Sequence, residues 1–113
     1  MIDSYSFGQI KVDGRTYRAD VIIYPEKINS FWWRKEGHNL NVADLQEVID
    51  YKPDMLIIGQ GNLGVMKVKP EVRSKLLEKG INLFIAKTNQ AVLKYNELAA
   101  NTKKVVAALH LTC

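Results

Sequence analysis

Apolar and polar residues alternate at the start of the chain and form short continuous apolar runs later. Alternating residues from Tyr5 to Val12 and from Tyr17 to Ile23 flank the pair Asp13-Gly14. An Asp-Gly pair between two such runs favours a type I′ turn, because both of its central residues need positive φ. The pattern therefore predicts an N-terminal β-hairpin, and the aromatic stretch from Ile28 to Arg34 predicts a third short strand.

The second half of the chain alternates between continuous apolar runs, typical of strands buried on both faces, and helical patterns. The predicted strands are Met55–Ile58, Ile81–Ala86 and Val105–Leu109. One helix begins at Pro70, with Val72, Leu76 and Leu77 inside, and another is capped by Thr88, with Ala91, Tyr95, Leu98 and Ala99 inside. An earlier helix follows Asn41 and ends at about Lys52, before Pro53. Strands alternating with helices in this way predict largely parallel pairing, with the helices on the sheet faces.

These elements indicate a small mixed α/β layered domain spanning residues 1–113, with helices packed on a sheet and the hairpin added to it. The length of 113 residues and the 47% hydrophobic content fit one ordinary domain with a single core. Repeats, low-complexity tracts and linkers are absent from the sequence.

A glycine-rich loop follows the first of the three apolar runs, with Gly59, Gly61 and Gly64 in a Gly-x-Gly-x-x-Gly spacing. In a dinucleotide fingerprint these glycines open a helix directly, whereas here Pro70 postpones the next helix. The following strand ends in Ala86-Lys87, where the fingerprint has an acidic residue. We therefore expect no nucleotide cofactor, and an ordinary alternative is that the glycines let the strand turn into a hairpin ending in Val65–Val68.

Ligands of open α/β sheets collect at the carboxyl ends of the strands, which is where the glycine loop and the Thr88 helix start would meet. Main-chain N–H groups at a helix start attract anions, and a lysine stands beside them. The candidate site for a small anionic ligand consists of Gly59, Gly61, Asn62, Lys87, Thr88 and Asn89. The alternative is that Thr88 only caps its helix.

A second candidate is an interaction surface made by Trp32, Trp33, Arg34 and His38. These residues combine stacking, planar cationic and titratable groups within a short stretch. Successive side chains of a strand point to opposite faces, so only one of the two tryptophans can face the core. The alternative is that both indoles belong to the core and rim of a small sheet.

Charge is unevenly distributed between the two halves of the chain. Residues 1–56 carry 7 basic and 9 acidic side chains, and residues 57–113 carry 9 basic and 3 acidic ones. A basic face would suit an acidic partner, although the lysines also fit a solvated surface made by Lys67, Lys75, Lys79, Lys94 and Lys103. Nucleic-acid binding is not expected, because aromatic residues are not interleaved with basic ones in this half.

Cys113 is the only cysteine, so the sequence excludes an internal disulfide and fits a reducing compartment. We expect a cytoplasmic protein, because no targeting signal and no apolar run of about 18 residues is visible. Of His38, His110 and Cys113, only the last two have a defined spacing, and they lie on a terminal tail, which argues against a metal site. No serine has the context of a nucleophile. We therefore expect no catalytic residues, no metal and no cofactor.

Several short motifs together resemble a known family. They are Trp33, Gly37-His38, Asp44-Leu45, Ile57-Ile58-Gly59-x-Gly61, Thr88-x-x-Ala91-x-x-x-Tyr95-Asn96-x-Leu98 and His110-Leu111-Thr112-Cys113. In order and spacing the chain resembles the Mth-domain family of small α/β proteins. The resemblance implies a three-layer fold with a mixed central sheet, no established catalytic residues and no cofactor. Its eukaryotic members act in respiratory-complex assembly or differentiation through protein partners, whereas this sequence shows no mitochondrial presequence.

The combined interpretation is a non-enzymatic accessory or protein-interaction domain of unknown biochemical function. The alternative is a binding protein or enzyme for a small anionic ligand at the Gly59–Gly64 loop and the start of the Thr88 helix. A protein partner is expected, a membrane is not, and the oligomeric state stays open.

Overall fold

The computed structural model describes residues 1–101 and 104–113. Ten strands lie in this part of the chain: β1 (Ile2–Ser6), β2 (Gln9–Val12), β3 (Arg15–Tyr17), β4 (Val21–Ile23), β5 (Ile28–Asn29), β6 (Asn39–Leu40), β7 (Met55–Gln60), β8 (Lys67–Val68), β9 (Asn82–Ala86) and β10 (Val105–His110). Its helices are a 3₁₀ turn (Val42–Leu45), α1 (Gln46–Tyr51), α2 (Pro70–Glu78) and α3 (Thr88–Ala99). The prediction that Lys103 is solvated lies outside the described residues.

A mixed five-stranded sheet with the order β5-β4-β10-β7-β9 forms the middle of the molecule. β10 and β9 both run parallel to β7, as the alternation of strands and helices predicts, while β4 runs antiparallel to β10. All six residues of β10 are buried, and so are four of the six in β7. Continuous apolar runs therefore occupy the centre of the sheet, where both faces are covered.

Each face of this sheet supports its own hydrophobic core, so the expectation of a single core is wrong, because the buried central sheet separates the apolar side chains into two groups. On one face Leu56 and Ile58 pack with the 3₁₀ turn, α1 and α2. On the other, Ile57 packs with α3 and with a second, three-stranded sheet of β1, β2 and β3. The expected α/β fold with a mixed central sheet and helices packed on it is therefore confirmed.

The Asp13-Gly14 turn is confirmed, with φ of 47° and 82°, and it joins β2 to β3. The predicted hairpin is nevertheless smaller than expected, because the run from Tyr17 to Ile23 is divided between two sheets. Its first part ends β3, and its last part is β4 of the central sheet. An additional turn at Gly8, with φ of 79°, joins β1 to β2.

Two further boundaries, and the burial of some helix residues, differ from the sequence prediction. The strand expected from Ile28 to Arg34 ends at Asn29, because the Asn29 side chain accepts the Phe31 N–H at 3.1 Å and interrupts the ladder. The helix after Asn41 begins as the 3₁₀ turn and becomes α-helical only at Gln46. Leu77, expected inside, is 81% exposed, because Val72 and Leu76 already fill the buried stripe of α2. Ala99, also expected inside, is exposed at the end of α3.

The glycine loop does not turn into a hairpin. Of the expected Val65–Val68 strand only β8 forms, and it pairs in parallel with β6 rather than with β7. Within the described ranges, no helix has the length and apolar character needed to span a membrane.

Candidate functional site

A groove of about 510 Å³ opens beside the edge strand β5. Phe31 and Trp33 line it and are 68% and 69% exposed, whereas Trp32 between them is 5% exposed. The side chains alternate as in an extended segment, so the two outer aromatic residues point away from the core. The opposite wall comes from the 3₁₀ turn and the start of α1 through Ala43, Asp44, Gln46 and Glu47.

Hydrogen bonds hold the base of this groove in place. The Trp32 indole Nε1 donates to the Asp44 carbonyl oxygen at 3.0 Å. The carboxylate of Asp44 accepts the main-chain N–H groups of Lys35 at 3.1 Å and of Asn41 at 2.8 Å. Burial and then the hydrogen bond to Glu47 raise the pKa of Tyr24, so its hydroxyl stays protonated and donates to Glu47 Oε1 at 2.7 Å. The groove therefore has a shape that exists before any partner binds.

Behind the groove lies a buried cluster of three ionisable side chains, Asp20, Arg34 and His110, which we call the ion cluster. The side chains of Arg34 and His110 are 5% and 7% exposed, and that of Asp20 is 17% exposed. Asp20 precedes β4, His110 ends β10, and these strands are antiparallel neighbours, so the two residues meet at one edge of the sheet. Arg34 reaches them from the segment that carries the groove aromatics.

The contacts within the ion cluster define its charge state. Asp20 Oδ2 lies 2.8 Å from Arg34 Nη1 and 2.8 Å from His110 Nδ1. An ionised carboxylate can only accept hydrogen bonds, so we assign a proton of His110 to Nδ1, where it faces Asp20. Nε2 is buried without a partner in the described part of the chain, and so is Arg34 Nε. Because it is buried, His110 connects β10 to Asp20 and is not accessible as a base.

Opposing effects act on the carboxyl group of Asp20. Burial would raise its pKa, but the hydrogen bonds from His110, the Leu111 N–H and Arg34, and the charge of His110, together lower it. The Leu111 N–H donates to Oδ1 at 2.7 Å. Asp20 is therefore held as a carboxylate, which pairs with the Arg34 guanidinium and accepts hydrogen bonds from His110 and Leu111 at the end of β10.

Arg34 also connects the ion cluster to the groove. Its guanidinium lies 4.7 Å from the centre of the Trp32 ring and donates from Nη2 to the Gly37 carbonyl oxygen at 3.2 Å. A planar cation that stacks on an indole and donates in several directions restrains the chain on both sides of itself. The ion cluster therefore restrains the main chain next to Trp33, although Trp33 is not part of it.

The glycine loop and the start of α3 lie in contact, as the predicted anion site requires. Thr88 N–H donates to the Gly61 carbonyl oxygen at 3.1 Å, and the Thr88 hydroxyl accepts the Gly61 N–H at 2.9 Å. The same hydroxyl donates to the His110 carbonyl oxygen at 2.6 Å. Thr88 is thus the first residue of α3 rather than its cap, and it ties together β7, α3 and β10. A Cβ at Gly59 would lie 2.8 Å from the Thr88 hydroxyl, which explains the glycine there.

The donors of this loop are used within the chain. Asn62 N–H donates to the Thr112 carbonyl oxygen at 2.6 Å, and the Cys113 main-chain oxygen accepts from Val65 N–H at 3.1 Å. Lys87 is exposed and packs its stem toward Gly64, whereas Asn89 lines a separate groove beside β1. Ligand binding by this set of residues stays a prediction.

Of the four residues predicted as an interaction surface, the structure exposes Trp33 and His38 and buries the side chains of Trp32 and Arg34. The His38 ring lies edge-on to His110, with 6.1 Å between ring centres. Among residues 1–101 and 104–113, no three His, Cys, Asp or Glu side chains are arranged to hold a metal ion.

The sequence profile of a family described as "Protein of unknown function (DUF498/DUF598)" matches residues 2–110. The chain belongs to the DUF498 family. The description of the family assigns it no biochemical function, so the biochemical function of this chain is unknown as well.

Solved structures support the assignment to the DUF498 family. The conserved hypothetical protein PH1505 from Pyrococcus horikoshii OT3 is 25% identical, with a TM-score of 0.82 over 100% of this chain and 99% of that one. The protein titled MT938 is 26% identical, with a TM-score of 0.83 over 100% and 98%. A Bordetella pertussis protein described as a Mth938-like domain shares the fold with 21% identity and a TM-score of 0.78 over 98% of this chain and 85% of that one. The resemblance to the Mth-domain family is therefore confirmed.

Two important residues of this DUF498 chain were not identified from its sequence. Asp20 was missed because its partner His110 lies 90 positions away and only the pairing of β4 with β10 brings them together. Phe31 could have been found, since alternation places it on the same side of an extended segment as Trp33.

Proposed function

We propose that this DUF498 protein is an interaction domain that binds a protein partner in the groove lined by Phe31 and Trp33. The observation that supports it is the pair of large aromatic side chains, each about two thirds exposed, on one side of a preformed groove. Exposed aromatic residues that lie together on a rigid surface are enriched among the residues that dominate protein–protein binding.

The composition of the groove favours a protein over a small molecule. Its lining combines the aromatic side chains with polar residues such as Asn29, Lys35 and Gln46, and Phe31 and Trp33 stay about two thirds exposed. Aromatic residues next to polar ones are typical of protein interfaces. Small-molecule sites, in contrast, are concave and enclose most of their ligand.

Rigidity supports the same proposal. The ion cluster and the Trp32–Asp44 hydrogen bond fix the segment that carries both aromatic residues. A side chain that is already ordered loses less conformational entropy on binding, so more of the contact free energy remains as affinity.

The cytoplasm is the compartment that we propose, because a single cysteine provides no internal disulfide.

The test compares two double variants that remove the same kind of exposed apolar surface at different places. Phe31→Ser/Trp33→Ser changes the groove, and Leu77→Ser/Leu93→Ser changes two helix positions that are 81% and 71% exposed. Immobilised wild type and both variants are incubated with lysate of the source organism, and captured proteins are quantified by mass spectrometry. We expect one set of proteins to be retained by wild type and by the helix variant and reduced at least about tenfold by the groove variant, a loss of about 1.4 kcal/mol or more.

Both pairs are exposed, so the thermal midpoints of the two variants should stay close to that of wild type, and a melting curve verifies this. A photo-crosslinking residue at position 33 then identifies the partner directly. If wild type and the groove variant capture the same proteins in equal amounts, the groove is not the binding surface.

A further inference from the structure

The outer edge of the central sheet at β9 is open. β9 (Asn82–Ala86) is the last strand in the order of the sheet, and in the described part of the chain it pairs only with β7. That pairing runs without a bulge through all five residues. One exposed and four half-buried residues make up the strand. The main chain of β9 therefore offers a regular row of hydrogen-bonding groups on its outer side.

This edge lacks the usual protection against pairing. Natural edge strands are kept from adding further strands by short length, charged residues, proline or a bulge. The opposite edge follows that rule, since β5 has only two residues. β9 has five, and its sequence Asn-Leu-Phe-Ile-Ala contains no charge and no proline. Such a strand is suited to accept an extended segment from another chain.

The charges around β9 indicate what kind of segment would fit. Lys79 precedes the strand and Lys87 follows it directly, and both are exposed. Neither has an acidic group within ion-pair distance among residues 1–101 and 104–113, whereas the neighbouring Lys75 and Lys94 are paired with Glu78 and Glu97. The edge is thus bracketed by two uncompensated positive charges, with apolar residues between them.

A second copy of the chain is a poor match for this edge. Two β9 strands paired antiparallel about a two-fold axis at Phe84 would place Lys87 of each copy opposite Ile81 of the other, next to the end of α2 that carries Lys79. Like charges that meet across neighbouring strands oppose the pairing. A segment with acidic residues at both ends instead places opposite charges beside each lysine.

We propose that β9 binds an extended acidic segment of a partner protein, which adds to the central sheet as a sixth strand. Main-chain hydrogen bonds supply affinity, and Lys79 and Lys87 select for acidic residues flanking an apolar centre. The proposal is independent of the groove at Phe31 and Trp33, which lies at the other edge of the sheet, so either one can fail without the other.

The experiment uses ¹⁵N NMR spectra of the full chain, which detect binding even at millimolar dissociation constants. The probe is a synthetic peptide of alternating valine and threonine with two glutamates at each end. Two matched peptides replace the glutamates by lysines or the central valine by proline. We expect shifts and slowed amide exchange at residues 82–86 with the acidic peptide, at least about tenfold weaker binding of the basic peptide, and no exchange protection with the proline peptide.

Variants of the protein separate strand addition from general attraction. Lys79→Glu/Lys87→Glu should reverse the preference between the acidic and the basic peptide. Lys11→Glu/Lys67→Glu, which changes two exposed lysines of other strands, should leave it unchanged. The proposal is overturned by spectra that stay unchanged at β9 with millimolar acidic peptide, or by equal binding of the proline peptide. Self-association that protects residues 82–86 in the free protein would also overturn it, because the occupant would then be a second copy.

Discussion

At the scale of single residues, the ion cluster is the feature whose disruption should cost the most free energy. Three ionisable side chains are withdrawn from water and compensate one another through contacts of 2.8 Å. Removing one member of such a buried set leaves another charge without a partner, which typically costs about 3–5 kcal/mol. The main effect of the ion cluster is therefore to fix one conformation of the segment that carries Phe31 and Trp33, and its net contribution to stability is smaller.

Asp20→Asn provides a prediction with a defined pH dependence. The folded-state pKa of Asp20 lies below its usual value of 3.8, so the carboxylate contributes stability at higher pH and loses it as the pH falls through the folded pKa. At pH 7 we expect the variant to be less stable by about 3 kcal/mol, since Arg34 remains buried without its carboxylate. The difference from wild type should narrow as the pH falls below about 4.

The measurement is urea unfolding of wild type and variant between pH 3 and 7. A titration of the Asp20 carboxyl group by NMR in wild type gives the folded pKa directly and does not depend on whether the variant folds. A difference in stability that stays constant over this pH range would show that Asp20 acts without its charge.

At the scale of elements, the sequence predicted best those segments whose partners are close in the chain. The βαβαβ order of the second half, the type I′ turn and the start of α2 at Pro70 all follow from local pattern. The strand at Ile28 and the loop after Gly64 were predicted less well, because their pairing depends on distant segments, β4 and β6. For the same reason the sequence indicated that one of the two tryptophans is exposed but not that an ion cluster lies behind it.

Thr88 shows how one side chain joins several elements, and its replacement is a second prediction. Thr88→Val keeps the shape of the side chain but removes the hydroxyl that serves the Gly61 N–H and the His110 carbonyl oxygen. Thr88 is fully buried, so these groups would lose a partner that water cannot replace, at about 1–3 kcal/mol. Denaturant unfolding measures the loss, and faster exchange of the Gly61 amide localises it.

The control for this change is Thr16→Val on β3, where the side chain is exposed and a β-branched residue is retained. Its stability should stay within about 0.5 kcal/mol of wild type. Equal effects of the two substitutions would mean that the Thr88 hydroxyl does not link α3 to the sheet.

At the scale of the whole molecule, the two hydrophobic cores share one sheet. Successive residues of β7 serve opposite cores, Leu56 on the side of α1 and α2 and Ile57 on the side of α3 and the three-stranded sheet. β10 is shared in the same way through Val106 and Ala107. Because neither core can lose β7 or β10 without exposing the other, we expect the chain to unfold in one cooperative transition.

Substitutions on either side of β7 test this coupling. Leu56→Ala and Ile57→Ala each empty a fully buried position, so each should lower the free energy of unfolding by about 2–5 kcal/mol. Leu77→Ala, at a position that is 81% exposed, should change it by less than about 0.5 kcal/mol. Tryptophan fluorescence reports on Trp32 in one core and on the exposed Trp33 next to it, and far-ultraviolet circular dichroism follows both cores together. If the shared strands make the cores one unit, both probes give the same midpoint in every variant, including Ile57→Ala, whose cavity lies in the core without tryptophan. Separate midpoints in that variant would mean that the core packed against α3 unfolds independently of the other core. The ion cluster would then not be coupled to the stability of that core.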